Sequence, residues 1–127
     1  MSLKSGNKIE VCGSWPEMEQ GLLGTLGDDL ESSILKSQFE RGLLRGYRVN
    51  DGVCYSLIRY EDKLKECCVV ALKGRGLSGF VSDLIIEAKE AGYEKIRCHV
   101  TNRALIRLIQ KTNPDAYEHE IVIKMRL

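Results

Sequence analysis

Hydrophobic positions along the chain recur first at helical and then at strand spacing, and the switch falls near Tyr47. "KIEVC" (8–12) alternates as a short strand and stops at Gly13. "SWPE" follows, with Ser14 as N-cap, Pro16 in the first turn and Glu17 three residues after the cap, the signature of a helix start. Met18, Leu22, Leu23, Leu26 and Leu30 continue at helical spacing, although Gly21, Gly24 and Gly27 weaken that helix. A second helix is predicted over 32–44, with Ile34, Leu35, Phe39, Leu43 and Leu44 apolar and Gly46 as its stop. Then the period becomes 2. "YRV", the turn "NDG" at 50–52 and "VCYSLIRY" read as a hairpin; "EDK" at 61–63 turns the chain into "LKECCVVAL", apolar throughout as a central strand is. Past a glycine-rich stretch, Phe80, Val81, Leu84, Ile85 and Ala88 mark a helix that ends at Gly92. "KIRCHV" (95–100) is a strand, 102–112 a helix, and "AYEHEIVIKMRL" a single closing strand with Tyr117, His119, Ile121, Ile123, Met125 and Leu127 on one face. The order is β-α-α-β-β-β-α-β-α-β, an α/β (α+β) chain with an antiparallel meander at its centre.

The 127 residues fit one domain spanning 1–127, with residues 1–7 ahead of the first strand. A chain of this size buries somewhat more than ~60% of its unfolded surface, enough for one core. Charge adds little direction: 19 Lys+Arg stand against 18 Asp+Glu, so no overall field argues for nucleic acid or an anionic membrane. Five cysteines (Cys12, Cys54, Cys67, Cys68, Cys98) lack C-x-x-C spacing and fall mostly in apolar runs, as reduced, buried residues of a cytosolic protein do. His99 and His119 are isolated, so no zinc site is expected. No apolar stretch approaches the ~18 residues of a membrane span, and "MSLKSGNK" lacks the apolar core of a signal peptide. The expectation is a soluble, cytoplasmic protein.

The candidate chemistry lies in "LKGRGLSGFVSDL" (72–84). Gly74, Gly76 and Gly79 spell G-x-G-x-x-G, the dinucleotide fingerprint. That fingerprint calls for an acidic residue at the tip of the next strand and for two mononucleotide halves. Here the next strand ends "CHVTN", and only one β-α-β unit remains after the loop. The Walker pattern G-x-x-x-x-G-K-[ST] is absent. A glycine-rich turn that merely lets strand and helix pack is the bland alternative. Against it, backbone N–H groups at a helix N-terminus, with Lys73 and Arg75 beside them, make an anion site.

The run "VVALKGRGLSGFVSDLIIEAKEAGYEKIRCHVTN" resembles the core of the GNAT superfamily of acyl-CoA-dependent N-acyltransferases. Lys73-Gly74-Arg75-Gly76-Leu77-Ser78 approximates the family signature [QR]-x-x-G-x-[GA], with Lys and Ser at its two ends. The loop follows an apolar strand and opens a helix ending at "AGY"; a strand and then a helix starting at Asn102 come next. The resemblance covers nearly the whole chain in element order, and residue-level motifs over 66–111. It implies a mixed, mainly antiparallel central sheet flanked by helices.

It also implies functional positions. The pantetheine arm of acetyl-CoA would pair with the main chain of Val70 and Leu72, where the fourth and fifth strands splay. Its pyrophosphate would sit on the amides from Gly74 to Gly79, with charge from Lys73 and Arg75. Asn102 matches a polar residue that contacts the coenzyme arm, or is simply an N-cap. Glu66 precedes "CCVVAL" as the general-base glutamate does in some branches; a solvent-facing strand-edge carboxylate is the other reading. The family's frequent general-acid tyrosine falls at Ile109, which leaves Tyr117 as the substitute hydroxyl. The implied reaction is attack of a primary amine on the thioester. The alternative is a catalytically inactive module that keeps the coenzyme loop. Acidic residues at Glu17, Glu19, Asp28, Asp29 and Glu31 either attract a cationic acceptor or form a solvated face. The acceptor, whether small molecule or protein, and the oligomeric state, a homodimer included, stay open.

Overall fold

Ser14 caps the first helix as its spacing predicts: its Oγ accepts the Glu17 N–H at 3.4 Å. In the computed structural model, which describes residues 6–99, 107, 110, 117–119 and 122–126, this helix is α1 (Trp15–Gly21). It is shorter than its apolar period suggested. Gly24 and Gly27 take φ of 87° and 78°, which breaks the helix between two leucines that the pattern had joined. Leu30 therefore belongs to α2 (Asp29–Glu40), which starts before the predicted Ser32 because Asp28 caps it by accepting the Glu31 N–H at 2.8 Å. It also stops before the predicted Leu44, at a turn through Gly42 with φ of 77°.

The strands are β1 (Ile9–Cys12), β2 (Arg45–Val49), β3 (Cys54–Glu61), β4 (Glu66–Gly74), β5 (Lys95–His99), β6 (Tyr117–His119) and β7 (Val122–Arg126). They form one sheet in the order β1-β2-β3-β4-β5-β7-β6. Only the β4–β5 pair is parallel, with α3 (Leu77–Glu90) as its crossover; the sheet is mixed and mainly antiparallel, as the element pattern and the resemblance implied. One correction concerns its C-terminal end. The predicted single strand over 116–127 is a hairpin, in which Tyr117 pairs with Lys124 and His119 with Val122. Of the helix expected over 102–112, Arg107 and Gln110 are helical and the rest lies outside the described residues.

Each face of the sheet carries its own core. On one face Tyr47, Val49, Ile58, Cys67, Val69, Ile96 and Cys98 pack against Phe80, Leu84 and Ala88 of α3. On the other, Cys12, Leu57 and Ala71 pack against Trp15, Met18, Leu22 and Leu26. Burying Phe80 or Leu84, 1% and 4% exposed, contributes about 1.5–3 kcal/mol each. All five cysteines are buried and free. Among the described residues no helix is long and apolar enough to cross a membrane.

Candidate active site

Two local irregularities in β4 lie ahead of the glycine loop. The first is a bulge. The β3–β4 register passes from Ile58 opposite Val69 to Leu57 opposite Ala71, which leaves Val70 as the extra residue. Val70 and Ala71 consequently both pack on the α1 face, while Leu72 returns to the α3 face. The second is a fork. β4 pairs with β5 only from Glu66–Lys95 to Val69–Cys98, whereas β4 runs on to Gly74. Past Val69, β4 has no β5 partner among the described residues. Val70 and Leu72 both fall in this stretch.

The loop closes the fork's end. The backbone turns at Gly74 with φ of 136° and again at Gly76 with φ of 70°. A Cβ at Gly74 would lie 2.2 Å from the Val53 carbonyl oxygen, so only glycine lets β4 end this close to the start of β3. That same carbonyl accepts the Arg75 N–H at 3.0 Å. Gly76 is the N-cap of α3 and has no side chain to satisfy the N–H groups of Leu77, Ser78 and Gly79; the first turn holds no acidic residue. The first helical bond is Phe80 N–H to Gly76 O at 3.2 Å. Three amides in front of it point out of the helix end with its positive dipole, an arrangement that favours an anion. A Cβ at Gly76 would meet nothing within 4 Å among the described residues.

The remaining predicted positions are distributed unevenly around this loop. Arg75 is exposed at the mouth. Lys73 is also exposed, but its Nζ donates to the Leu23 carbonyl at 2.6 Å and so ties β4 to the α1–α2 connection. Leu77 packs against the core of the α3 face. Glu66 opens β4, three residues before the last β4–β5 rung, which puts it about 10 Å from the fork. There it is 7% exposed, with Arg97 Nε 3.2 Å from its Oε1. That contact is an ion pair without hydrogen-bond alignment, since neither atom has a hydrogen-bond partner. Arg97 also reaches Glu61 at 3.3 Å. Tyr117 lies in β6, where the register sets it opposite Lys124, itself opposite Arg97. Asn102 and Ile109 lie outside the described residues. Glu17, a candidate for attracting a cation, is taken up within the fold: its carboxylate accepts from Arg48 Nη1 at 2.8 Å and Tyr55 Oη at 2.8 Å. Its pKa is held down by those two bonds, Arg48 first.

Several supporting residues escaped the sequence pattern. Asp83, 1% exposed on α3, accepts from Asn7 Nδ2 at 3.2 Å, and Asn7 Oδ1 in turn accepts from Asn50 Nδ2 at 2.9 Å. Asn7 Nδ2 also sits 2.8 Å from where a Gly79 Cβ would be, so the chain ahead of β1 buttresses the first turn of α3. An acidic residue between Val81 and Leu84 on an apolar helix face was the available signal.

No family model matches this chain, and no curated protein matches it. Solved structures do. The IAA acetyltransferase from Bacillus cereus ATCC 14579 superposes with a TM-score of 0.68 at 13% identity, over 96% of this chain and 100% of its own. A Bacillus subtilis acetyltransferase in complex with CoA gives 0.68 at 14% identity, over 95% and 99% of the two chains. The GNAT family N-acetyltransferase YhbS from Escherichia coli, also in complex with CoA, gives 0.65 at 16% identity, over 94% and 79%. The chain thus has the fold of the GNAT N-acetyltransferases, along its whole described length.

Proposed function

We propose that this protein is an acyl-CoA-dependent N-acyltransferase that moves an acetyl group from acetyl-CoA to a primary amine by direct attack. The observation that carries the reading is the fork: among the described residues β4 has no β5 partner past Val69, where a helix N-terminus without a side-chain cap meets two positive-φ glycines. An extended pantetheine arm has main-chain partners at Val70 and Leu72. A pyrophosphate has the amides of Leu77, Ser78 and Gly79, with Arg75 at the mouth, and Asn102 is assigned to the arm. CoA in two of the structural neighbours supports the same reading.

In the reaction, the neutral amine attacks the thioester carbonyl, the C–N bond forms and the C–S bond breaks. The ammonium proton must leave and the thiolate departs. Glu66 is proposed to receive that proton through water, since about 10 Å separates it from the fork; Arg97 supplies the countercharge that a buried carboxylate needs. Tyr117 is proposed to donate to the thiolate, although a thiol of pKa ~8.5 leaves without help. One observation favours a coenzyme-binding module without turnover instead: Glu66 is engaged with Arg97 and set back from the fork.

Two measurements separate these readings. Melting curves with acetyl-CoA, CoA, NADH and ATP come first. A ligand at ~100 times its dissociation constant adds ~2.7 kcal/mol, so a shift with the two CoA species and none with NADH is expected. Stabilisation by NADH alone would overturn the proposal. Thiol release from acetyl-CoA with a panel of amines then tests turnover. The protein's own thiols stay silent, because all five are buried. Turnover that falls in Glu66→Gln supports the enzyme; CoA binding with no turnover for any amine supports the module.

A further inference from the structure

A cavity opens toward the C-terminal end of α3, lined from Leu84 to Ala91 and so roughly 12–22 Å along that helix from Gly76. Its volume is about 390 Å³, within the range of small-molecule sites. Arg45, Tyr47, Tyr60, Asp62, Glu87 and Tyr93 line it, on the face of the sheet that packs α3. The three tyrosines are held in place by their own contacts. Tyr47 and Tyr60 share a hydroxyl–hydroxyl bond of 2.6 Å; Tyr60 and Tyr93 meet as a tilted pair with ring centroids 5.6 Å apart and planes at 44°; and the Tyr93 hydroxyl donates to Asp62. Tyr60 and Tyr93 therefore present fixed ring surfaces beside two carboxylates.

A cation already uses this surface. The guanidinium carbon of Arg45 lies 5.6 Å from the centroid of the Tyr60 ring, yet Arg45 as a residue is exposed. A guanidinium over a tyrosine face at an exposed site gains about 0.5–1 kcal/mol, and Arg45 also interacts with the Tyr47 hydroxyl, so withdrawing it gives up both contacts. With Arg45 withdrawn, the polar lining is tyrosine rings and hydroxyls, Asp62 and Glu87. Its carboxylates repel carboxylates and phosphates, while Leu84, Ala88 and Ala91 supply apolar surface for a cation's alkyl stem. It suits a planar cation that stacks on a ring and donates to carboxylates in its own plane.

We propose that this cavity is a binding site for a guanidinium group, with Arg45 as a built-in competitor that occupies it in the free protein. It is lined by residues roughly 12–22 Å along α3 from Gly76, and the inference stands whether or not the acyltransferase reading does. The guanidinium comes either from a free arginine-like molecule or from an arginine side chain of a peptide.

Titration calorimetry at low ionic strength with ethylguanidinium tests the shared chemistry; arginine methyl ester and a peptide with a single arginine distinguish the two sources. Wild-type protein is expected to bind weakly and Arg45→Ala at least ~10-fold more tightly, because the competitor is gone. Adding Tyr60→Leu, or the exposed Asp62→Asn if the former melts early, should abolish that gain. Three results would overturn the proposal. Arg45→Ala could fail to bind ethylguanidinium at concentrations on the order of 10 mM, n-butylammonium could bind as tightly as ethylguanidinium, or acetate could bind instead.

Discussion

Gly74 and Gly76 are two residues apart in the same loop, both at positive φ, yet the structure assigns them opposite kinds of sensitivity. At Gly74 an alanine would bring a Cβ to 2.2 Å from the Val53 carbonyl oxygen and 2.5 Å from the Cys54 Cα, both backbone atoms that cannot step aside alone. The φ of 136° adds about 1–3 kcal/mol for a residue with a side chain, and relieving the overlap adds a similar amount. Gly74→Ala should therefore destabilise the fold by roughly 2–5 kcal/mol in a denaturant titration. At Gly76 the φ of 70° costs an alanine about 1–2 kcal/mol, and nothing lies within 4 Å of the new Cβ. Gly76 is the N-cap just ahead of the amides of Leu77, Ser78 and Gly79, the proposed anion site, so a methyl group there is expected to crowd the anion. Losing one charge-assisted hydrogen bond there costs about 1.5–3 kcal/mol. Gly76→Ala should hold its fold and bind CoA at least ~10-fold more weakly. Denaturation midpoints and calorimetry on the two variants give both numbers. Equal stability losses, or unaltered CoA binding in a folded Gly76→Ala, would refute the assignment of these roles.

Other consequences follow from the ion pairs and buried groups. Arg97→Met leaves the carboxylate of Glu66, 7% exposed, without its countercharge and should cost about 3–5 kcal/mol in a urea titration, whereas adding Glu66→Leu should recover most of it. A harmless Arg97→Met would show that the pair holds nothing. Asp83→Ala removes the acceptor of Asn7 and should lower stability by about 1–3 kcal/mol, with faster amide exchange at Lys8, whose N–H bonds Asn50. In alkali, burial pushes Cys54 up to about 11 and Cys67 and Cys98 to about 12, while the bond to Asp62 holds Tyr93 at about 12. All four exceed their unfolded values, ~8.5 for Cys and ~10 for Tyr. Their stabilisation is thus complete below about pH 8.5 and drains away as pH rises toward 12. Midpoints measured from pH 7 to 11 should fall; a flat profile would contradict this.

Strand positions were legible wherever alternation met a turn residue: Gly13 after β1 and Gly92 before β5 both stop their elements in the fold. The C-terminal hairpin was not, because "HEIVIK" keeps the strand period and contains no glycine, asparagine or proline. The bulge at Val70 was hidden for a related reason: "CCVVAL" is apolar on both faces, so an extra residue leaves no mark on the pattern. In the candidate site the loop itself was legible, since glycines, a strand and a helix start are local features. What holds the loop was not. The Val53 carbonyl that receives the Arg75 N–H, and the Leu23 carbonyl that receives Lys73, are backbone groups that no side-chain pattern names. Glu66 shows the limit for the chemistry as well: its place on the strand was readable, its ion pair with Arg97 depends on the parallel register with β5.

In the proposed function the fork and the loop hold one molecule of acyl-CoA, and amide chemical shifts read that directly. On titrating CoA into labelled protein, the largest changes should fall on the amides from Val70 to Gly79, with Leu77, Ser78 and Gly79 moving most. Changes confined to Tyr47, Tyr60 and Tyr93 at the far end of α3, or a response of the loop to NADH and none to CoA, would contradict it.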